Sequence, residues 1–433
     1  MASTVVLVGS LDTKGREYAF VKARLQELGV TPLVIDFGVL GTPPFTPDFS
    51  AEDVAVAAGS SLSELRFARE GSDTRALALR TMERGVRAIL ERLCAEGRCD
   101  AVLGMGGSGG SSVIAGAMRT LPLGVPKLLV STMASGDVSG YVGTRDVCIM
   151  YSVTDIAGLN RISRRILANA AAAAAGMAKG LSTAIADEAR PLVAITMFGI
   201  TTPGVLRLVE RLEAAGFETI VFHATGSGGR SMEEMIDEGL IDGVIDYTTS
   251  ELVDEMLGGV FSAGPHRLEA AGRKGIPQVV VPGALEVLNF GARDTVPAKY
   301  NVPERKCIIH NPNVCAVRTN REESAQLGTI LAKKVSAARA PSAVMLPLRG
   351  LDAYEQPPDG PWIDPEADAA LFAAIKENLR EGIPVVELPY NINDAEFADA
   401  TFNKFMELWE QAQMMEESRE ASKSRGKPNG FGE

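Results

Sequence analysis

The stretch LGMGGSGGSSV (residues 103–113) decides the fold of the N-terminal half of this chain. It follows the apolar run Ala101-Val102-Leu103 and leads into residues 113–118, which are typical of a packed helix. A glycine-rich turn between a strand and a helix leaves backbone N–H groups bare, and the helix N-terminus adds partial positive charge. Glycines also admit a ligand that side chains would block. The sequence therefore predicts an anion cradle built from Gly106, Gly107, Ser108, Gly109, Gly110 and Ser111.

The common nucleotide motifs do not identify this anion. Gly104-x-Gly106-x-x-Gly109 matches the dinucleotide fingerprint, but the acid expected about 20 residues later at the end of a second strand is missing. Ser131-Thr132 ends the next strand instead. A Walker A loop is excluded because no Gly-Lys-Ser/Thr follows the glycines. The residues alone predict phosphate or carboxylate.

Two further strand-end loops belong to the same predicted sheet. The apolar strands 5–8 and 127–130 are each followed by small, hydroxylated residues. Loops after the carboxyl ends of parallel strands meet at one edge, where open α/β sheets bind ligands. We therefore assign to the ligand site Ser10, Asp12, Thr13, Lys14, Ser131, Thr132, Ala134, Ser135, Gly136 and Asp137.

Lys14 and Asp12 are the catalytic candidates of this half. Lys14 is the candidate for meeting a phosphate, and Asp12 and Asp137 are the candidates for holding Mg²⁺. The alternative stays open that Asp12 or Thr13 is only a helix N-cap and Lys14 a solvated charge.

The same pattern restarts in the second half. Strands at 192–195 and 219–222 precede a second glycine-rich loop, 223–230, with His223 and Arg230 at its ends. The fork of Arg230 matches phosphate or carboxylate, and His310 stands at the end of a strand beginning at Cys307. His223, Arg230 and His310 are catalytic candidates. Together with them, Asn289 is expected to face a second substrate bound to this half of the chain. The alternative is that each histidine is a satisfied polar residue.

These patterns predict an α/β protein of two doubly wound, Rossmann-like, three-layer domains with mostly parallel sheets. The boundaries are 1–185 for the N-terminal nucleotide-binding domain, 186–415 for the C-terminal α/β domain and 416–433 for a polar tail. Residues 182–191 are the predicted linker. A cleft between the domains is the expected ligand position.

Composition limits the partners. The chain has 433 residues, 46% of them hydrophobic and 23% charged, which is typical of a globular protein. Its net charge of -12 argues against nucleic acid or a membrane surface as partner. The odd, sparse set of five cysteines (Cys94, Cys99, Cys148, Cys307 and Cys315) does not have the spacing of a zinc ribbon and favours a reducing compartment. The alanine-rich run 168–180 favours a closely packed helix over a membrane span, and the first strand begins at Thr4, so we expect a cytoplasmic protein.

Four ordered motifs carry a resemblance: residues 9–14 (GSLDTK), 104–110 (GMGGSGG), 131–136 (STMASG) and 223–233 (HATGSGGRSME). With them the chain resembles the ATP-binding domain family of the tomato mosaic virus resistance protein, in particular its bacterial relatives that lack a TIM-barrel extension. The resemblance covers about residues 1–410. It implies a two-domain α/β protein that binds ATP on its first domain and self-associates as a homodimer or larger homo-oligomer.

Three functions remain open. The first is an ATP-dependent kinase or ligase acting on a small acidic or sugar-acid metabolite. The second is a non-catalytic ATP-sensing or scaffold module. The third is an isomerase or lyase of a phosphorylated sugar acid, with His223 or His310 as base. The second glycine-rich loop favours an enzyme, because a sensor has no need of two anion sites.

Overall fold

The structure, a computed structural model, describes residues 2–67, 72–180 and 190–425. The chain divides into two compact units, 1–187 and 188–433, each of which is described by itself. The predicted linker at 182–191 lies almost wholly outside the described residues.

The first unit alternates strands and helices in the order that its apolar runs predict. Its elements are β1 (Thr4–Gly9), α1 (Leu11–Glu27), β2 (Thr31–Asp36), α2 (Ala51–Ala57), α3 (Leu62–Phe67), α4 (Ser72–Ala95), β3 (Ala101–Gly106), α5 (Ser108–Met118), β4 (Lys127–Ser131), α6 (Ser139–Val142), β5 (Val147–Tyr151) and α7 (Arg161–Gly180).

These five strands form one parallel sheet in the order β2-β1-β3-β4-β5. Both of its faces are covered. Val6 and Val8 of β1 pack with α4 and α5, while Val5 and Leu7 pack with α1 and α7. This alternation follows from the period of two along a strand and produces three layers. The strand order reverses between β1 and β3, and this switch point is where such sheets bind ligands.

The alanine-rich run forms the inner face of α7. Ala170, Ala171, Ala174, Ala175 and Ala178 are buried. Their small side chains allow the helix to approach the sheet closely. Among the described helices, none is long and apolar enough to cross a membrane.

The second unit repeats this architecture and adds to it. Its elements are β6 (Leu192–Met197), α8 (Thr202–Ala214), β7 (Glu218–His223), α9 (Ser227–Glu238), β8 (Gly243–Thr248), α10 (Glu251–Leu257), α11 (Ala270–Lys274), β9 (Gln278–Gly283), β10 (Val287–Phe290), β11 (Cys307–Asn311), β12 (Val314–Arg318), α12 (Arg321–Ser336), β13 (Ser342–Pro347), α13 (Pro365–Asn378), β14 (Val385–Leu388) and α14 (Ala395–Arg425).

Six of these strands form a second parallel sheet in the order β14-β13-β9-β8-β6-β7, with a switch point between β6 and β8. The predicted fold class is therefore confirmed: both units are doubly wound α/β structures. Helix starts follow their sequence signals, as where Asn320 and Glu323 form a capping box at α12. The segment predicted as a tail from residue 416 differs, because α14 continues through Arg425.

The second unit also contains an antiparallel sheet, β10-β12-β11, that the sequence did not predict. Only β11 was expected, as one more parallel strand. In its register Asn289 lies opposite Ala316, and Ile309 lies opposite Cys315. This small sheet brings residues far apart in the chain to one side of the unit.

Candidate functional site

Tyr18 separates the two strands at the first switch point. The backbone pairing of β1 with β3 ends at Val8 and Gly104. Beyond that point, the Tyr18 hydroxyl bridges the two strands. That hydroxyl donates to the Val8 carbonyl at 2.5 Å and accepts from the Met105 N–H at 2.7 Å. A Cβ on Gly9 would lie 2.0 Å from the Tyr18 ring, so glycine is required there. The strand ends are thus held apart by a fixed wedge.

The glycine-rich stretch predicted as a cradle runs from the end of β3 into the first turn of α5. A Cβ on Gly106 would lie 2.8 Å from the Ser111 nitrogen, so glycine lets the strand end meet the start of α5. Within the described part of the chain, the N–H groups of Ser108, Gly109 and Gly110 have no acceptor. A Cβ on Gly110 would meet nothing within 4 Å. The first turn of α5 therefore presents open donors to open space.

Arg75 is a cation at this cradle that sequence reasoning missed. It lies exposed on α4, and its Nη2 is 3.8 Å from the position of a Cβ on Gly109. Its guanidinium adds a positive charge beside the helix N-terminus. No motif marks it, and only the packing of α4 and α5 on the same face of the sheet brings it to the cradle.

The structure brings the β4 loop to the cradle but buries two of the predicted hydroxyls. The Ser111 and Ser131 hydroxyls lie 2.7 Å apart, and both residues are fully buried. They join the start of α5 to the end of β4 beneath the open N–H groups. Thr132 is nearer the surface, with Oγ1 3.8 Å from the Cβ position of Gly107. Ala134, Ser135 and Gly136 continue the loop in a turn beyond them.

The loop after β1 is held by its own contacts. The N-cap of α1 is Ser10, so the alternative that Asp12 or Thr13 is the cap is wrong. Thr13 Oγ1 reaches back to the Ser10 carbonyl at 3.3 Å. Asp12 accepts from the Ser10 hydroxyl at 2.7 Å and from the Leu40 N–H at 2.8 Å. Asp12 thereby fastens the loop that follows β2.

Among the contacts of the described residues, Lys14 has none with the cradle. It is half-buried, and its Nζ donates to the Ile156 carbonyl at 2.6 Å. Its backbone leaves the helical region (φ −127°, ψ 18°), so the regular part of α1 begins after it. The ammonium has three donors, and this contact uses one.

Each of the two candidate metal ligands, Asp12 and Asp137, already accepts from a backbone N–H. Asp137 is exposed, and its Oδ1 accepts from the Ser139 N–H at 2.9 Å, which lowers the pKa of Asp137. Among the described residues, no three His, Cys, Asp or Glu side chains form a group that could hold a metal ion. These carboxylates, each already bonded to nearby N–H groups, fit a direct Mg²⁺ site poorly.

The second glycine-rich loop is filled from inside the protein. Oε1 of Glu251 accepts from the N–H groups of Gly226 and Gly229, at 2.6 and 3.0 Å. A Cβ on Gly229 would lie 2.0 Å from Glu251 Oε2, so the glycine makes room for this carboxylate. The spacing of Ser231 and Glu234 predicts a capping box and a helix start at Ser231, but α9 already begins at Ser227. The anion at the second glycine-rich loop is therefore the protein's own Glu251 carboxylate.

Arg267 organises the charges behind that loop. It is fully buried, and its guanidinium bonds to Asp246, also buried, with Nη2 and Oδ1 2.7 Å apart. Its Nε donates to Glu251 at 2.6 Å, and Nη1 lies 3.4 Å from Glu233. Burial by itself lowers the pKa of Arg267, but the surrounding carboxylates outweigh burial and raise it. Arg230, the predicted anion ligand, instead donates to the Ser262 carbonyl at 2.9 Å.

Three predicted residues of the second unit line one cavity of about 180 Å³: His223, Asn289 and His310. Aromatic and apolar side chains form the rest of its wall, including Phe198, Phe261, Tyr354, Val287 and Ala316.

Two contacts orient polar groups in this cavity. Nδ1 of His310 lies 3.0 Å from the Tyr354 hydroxyl, which sequence reasoning missed. Asn289 is held by Asp254, whose Oδ2 accepts from the Asn289 amide at 2.9 Å. Burial raises the pKa of Asp254 to about 7. The arrangement offers two imidazoles and a phenol to a ligand, groups suited to moving a proton.

A group of buried acidic residues lies close in sequence to residues that line this cavity. Glu286 precedes β10, and Asp352 caps the turn that carries Tyr354. Both carboxylate oxygens of Glu286 and Oδ2 of Asp352 are buried without a donor from the described residues, so a shared proton is needed to join them. Burial raises the pKa of Asp352 to about 7 and raises that of Glu286 well above its ordinary value. Arg318 bonds to Glu355 in the same group.

A separate cavity of about 540 Å³ lies at the opposite edge of the first sheet. Cys99, Asp100, Pro122 and Val125, which precede β3 and β4, line it. Open α/β sheets bind ligands at the carboxyl ends of their strands, so this cavity is not the candidate site.

Two family models match the chain. The model described as the N-terminal domain of the uncharacterised protein family UPF0261 matches residues 3–183, and the C-terminal domain model matches residues 190–409. A UPF0261 protein of Clostridium tetani is 43% identical over 411 residues, covering 95% of this chain and 100% of that protein. The chain belongs to the UPF0261 family. This confirms the resemblance drawn from the four motifs.

The relatives of this UPF0261 protein include a plant protein. The ToMV resistance protein Tm-1(GCR237) of Solanum lycopersicum is 39% identical over 359 residues, which cover 82% of this chain and 47% of the tomato protein. Among solved structures, a UDP-GlcNAc 2-epimerase from Neisseria meningitidis bound to UDP-GlcNAc covers 64% of this chain. It matches over 82% of its own chain, with 10% identity and a TM-score of 0.21. That likeness is too low to support an inference about activity.

Proposed function

We propose that the N-terminal unit of this UPF0261 protein binds ATP, with the phosphates on the first turn of α5. The observation that carries the proposal is the set of open N–H groups at Ser108, Gly109 and Gly110, beside a switch point that Tyr18 holds apart. Such groups, together with the helix dipole, favour negatively charged oxygens. The adenine comes from the family resemblance, whereas the residues themselves argue for the phosphates.

Local charge supports an anionic ligand despite the net charge of -12. Arg75 stands beside Gly109, and its fork matches phosphate oxygens bidentately. Lys14 lies in the kinked first turn of α1, directly after β1, and two of its donors remain after the bond to Ile156. The bonded pair Ser111 and Ser131 fixes the start of α5 against the end of β4, and the hydroxyls of Ser108 and Thr132 are further candidates for contacting the phosphates.

The second proposal is that ATP drives a kinase- or ligase-type reaction on a small acidic or sugar-acid metabolite. Its support is the cavity lined by His223, Asn289 and His310, because a co-substrate needs a second enclosed site with polar groups. His310, oriented by Tyr354, is the candidate acid or base. The second glycine-rich loop no longer supports an enzyme, because Glu251 occupies it.

A thermal-shift and calorimetric screen of the full chain tests both proposals. A ligand present at 100 times its Kd stabilises a protein by about 2.7 kcal/mol. We expect ATP to raise the melting temperature, and one member of a sugar-acid panel to raise it further and to trigger ADP release. ATP binding without turnover on any acid would favour the sensing module. Tighter binding of sugar phosphates than of ATP would favour the isomerase or lyase.

We also propose self-association, which the resemblance implies. Sedimentation velocity with and without ATP measures it, and a monomer at all concentrations would contradict it.

A further inference from the structure

Two thiols meet on the small antiparallel sheet. Cys307 lies opposite Val317 and Cys315 lies opposite Ile309, so the cysteines are diagonal neighbours on adjacent strands. Their Sγ atoms are 3.0 Å apart, and both are free thiols. A disulfide has an S–S length of about 2.05 Å, so an approach of about 1 Å joins them.

The two thiols differ in access and share a cation. Cys315 is fully buried, whereas Cys307 is half-buried. Nη1 of Arg293 lies 2.7 Å from Sγ of Cys307 and 3.7 Å from Sγ of Cys315. A guanidinium in this position stabilises a thiolate, the form that attacks a disulfide. Access therefore makes Cys307 the attacking thiol and Cys315 the resolving one.

We propose that Cys307 and Cys315 form a reversible disulfide by exchange with a small-molecule disulfide such as oxidised glutathione. The Cys307 thiolate attacks one sulfur of the oxidant, forms a mixed disulfide and releases the first glutathione thiolate. The Cys315 thiolate then attacks the Cys307 sulfur, closes the protein disulfide and releases the second glutathione. Two protein thiols are oxidised and one small disulfide is reduced to two thiols, whose thiolates take up the two protons.

The bond would close a short loop that reaches the cavity. Between the two cysteines lie His310 and Asn311, which line that cavity, and the register of the strand pair shifts between Ile309 and Asn311. A disulfide across β11 and β12 holds this irregular segment in place. The proposal does not depend on ATP binding.

The rate of the first step should depend on charge. Burial and the neighbouring Cys315 raise the pKa of Cys307 to about 11, while Arg293 opposes that rise. Below that pH the reactive thiolate is a minority, so the rate rises with pH. Arg293→Gln should slow formation of the mixed disulfide several-fold, whereas Arg273→Gln, a change at another exposed arginine, should leave it unchanged.

The test is peptide mapping of the folded full chain by mass spectrometry after equilibration with oxidised glutathione. We expect a Cys307–Cys315 crosslink that dithiothreitol reverses, and the same crosslink in a Cys148→Ser control. Cys315→Ala should stop at glutathionylated Cys307, and Cys307→Ser should leave Cys315 unmodified. Free thiols at both positions in wild-type protein under excess oxidant, or Cys94–Cys99 as the sole crosslink, would overturn the proposal.

Discussion

The hydroxyl of Tyr18 lies 2.7 Å from the backbone nitrogen of Met105 and, on its other side, 2.5 Å from the carbonyl of Val8. One side chain from α1 thus fills the gap between β1 and β3, where the strands would otherwise continue to pair. Burial raises the pKa of Tyr18, so the phenol stays neutral and can serve both as donor and as acceptor. The candidate site is built on this wedge.

Tyr18→Phe should destabilise the N-terminal unit by about 1–3 kcal/mol, because the buried N–H of Met105 loses its acceptor. Urea denaturation measures the change. Tyr151→Phe is the control, since Tyr151 lies on β5 of the same sheet with 42% of its surface exposed. The control should change stability by less than about 0.5 kcal/mol. Equal changes in the free energy of unfolding for the two variants would contradict the claim that the Tyr18 hydroxyl stabilises the ends of β1 and β3.

Ser108→Asp should weaken ATP binding at least about tenfold, or about 1.4 kcal/mol. The new aspartate carboxylate would accept from the open N–H groups and would repel the phosphates. The fold should persist, since an acid is favourable in the first turn of a helix. Gln26→Glu adds the same charge at the far end of α1 and should leave the affinity unchanged. Isothermal titration calorimetry of both variants measures their affinities for ATP, and equal affinities would contradict the placement of the phosphates.

Arg75→Gln should lower the affinity for ATP by about five- to tenfold while leaving adenosine binding unaffected, because the guanidinium serves the phosphates. It should also flatten the dependence of the Kd on salt. Arg87→Gln is the matched change on the same helix, where Arg87 pairs with Glu91. If the Arg75 and Arg87 variants bound ATP equally well, Arg75 would not be a ligand.

Arg267→Met should destabilise the second unit by about 3–5 kcal/mol, because it leaves Asp246 and Glu251 buried without their cation. Arg273→Met removes an exposed pair with Asp237 and should cost no more than about 1 kcal/mol. Chemical denaturation of both variants gives the comparison. A small loss in the Arg267 variant would mean that those acids are protonated or hydrated in the protein.

Stability should fall as pH rises from about 4 to about 7. A carboxyl with a raised pKa keeps its proton in the folded state over a range where the unfolded chain, with a pKa near 3.9, has released it. Asp352 and Asp368, with pKa values raised by burial to about 7, therefore contribute stability at low pH that is lost through this range.

Asp352→Asn should reduce that loss by on the order of 1 kcal/mol between pH 5 and pH 8. Its Oδ1 can still accept from Tyr354, and its new amide can donate to Glu286, which now lacks a donor. Denaturation at a series of pH values measures the slope. Asp359→Asn, at an exposed position, should leave the slope as in the wild type. A slope unchanged by Asp352→Asn would contradict the assignment.

The sequence predicted the parallel sheets and the first cradle because their signals are local. Continuous apolar runs such as residues 5–8 specify buried strands, and glycines directly after them specify open strand ends. The second glycine-rich loop carried the same local signal and was misread. What fills it is Glu251, which lies 22 residues beyond Gly229, on the other side of β8 in the chain.

Long-range partners account for the other differences. His223 and His310 lie near the ends of β7 and β11, as the sequence predicts. That they line one cavity depends on an antiparallel sheet whose strands β10 and β12 are four and five residues long. Arg75 and Tyr354 carry no motif, and only packing shows where they lie. Lys14 looked like a free cation because its acceptor, the carbonyl of Ile156, is 142 residues away.

The most direct test of the central claim is a crystal structure of the full chain grown with a non-hydrolysable ATP analogue. The account predicts phosphate oxygens within hydrogen-bond distance of the N–H groups of Gly109 and Gly110, with Arg75 beside them. Nucleotide bound elsewhere, with the first turn of α5 left empty at saturating ligand, would contradict it.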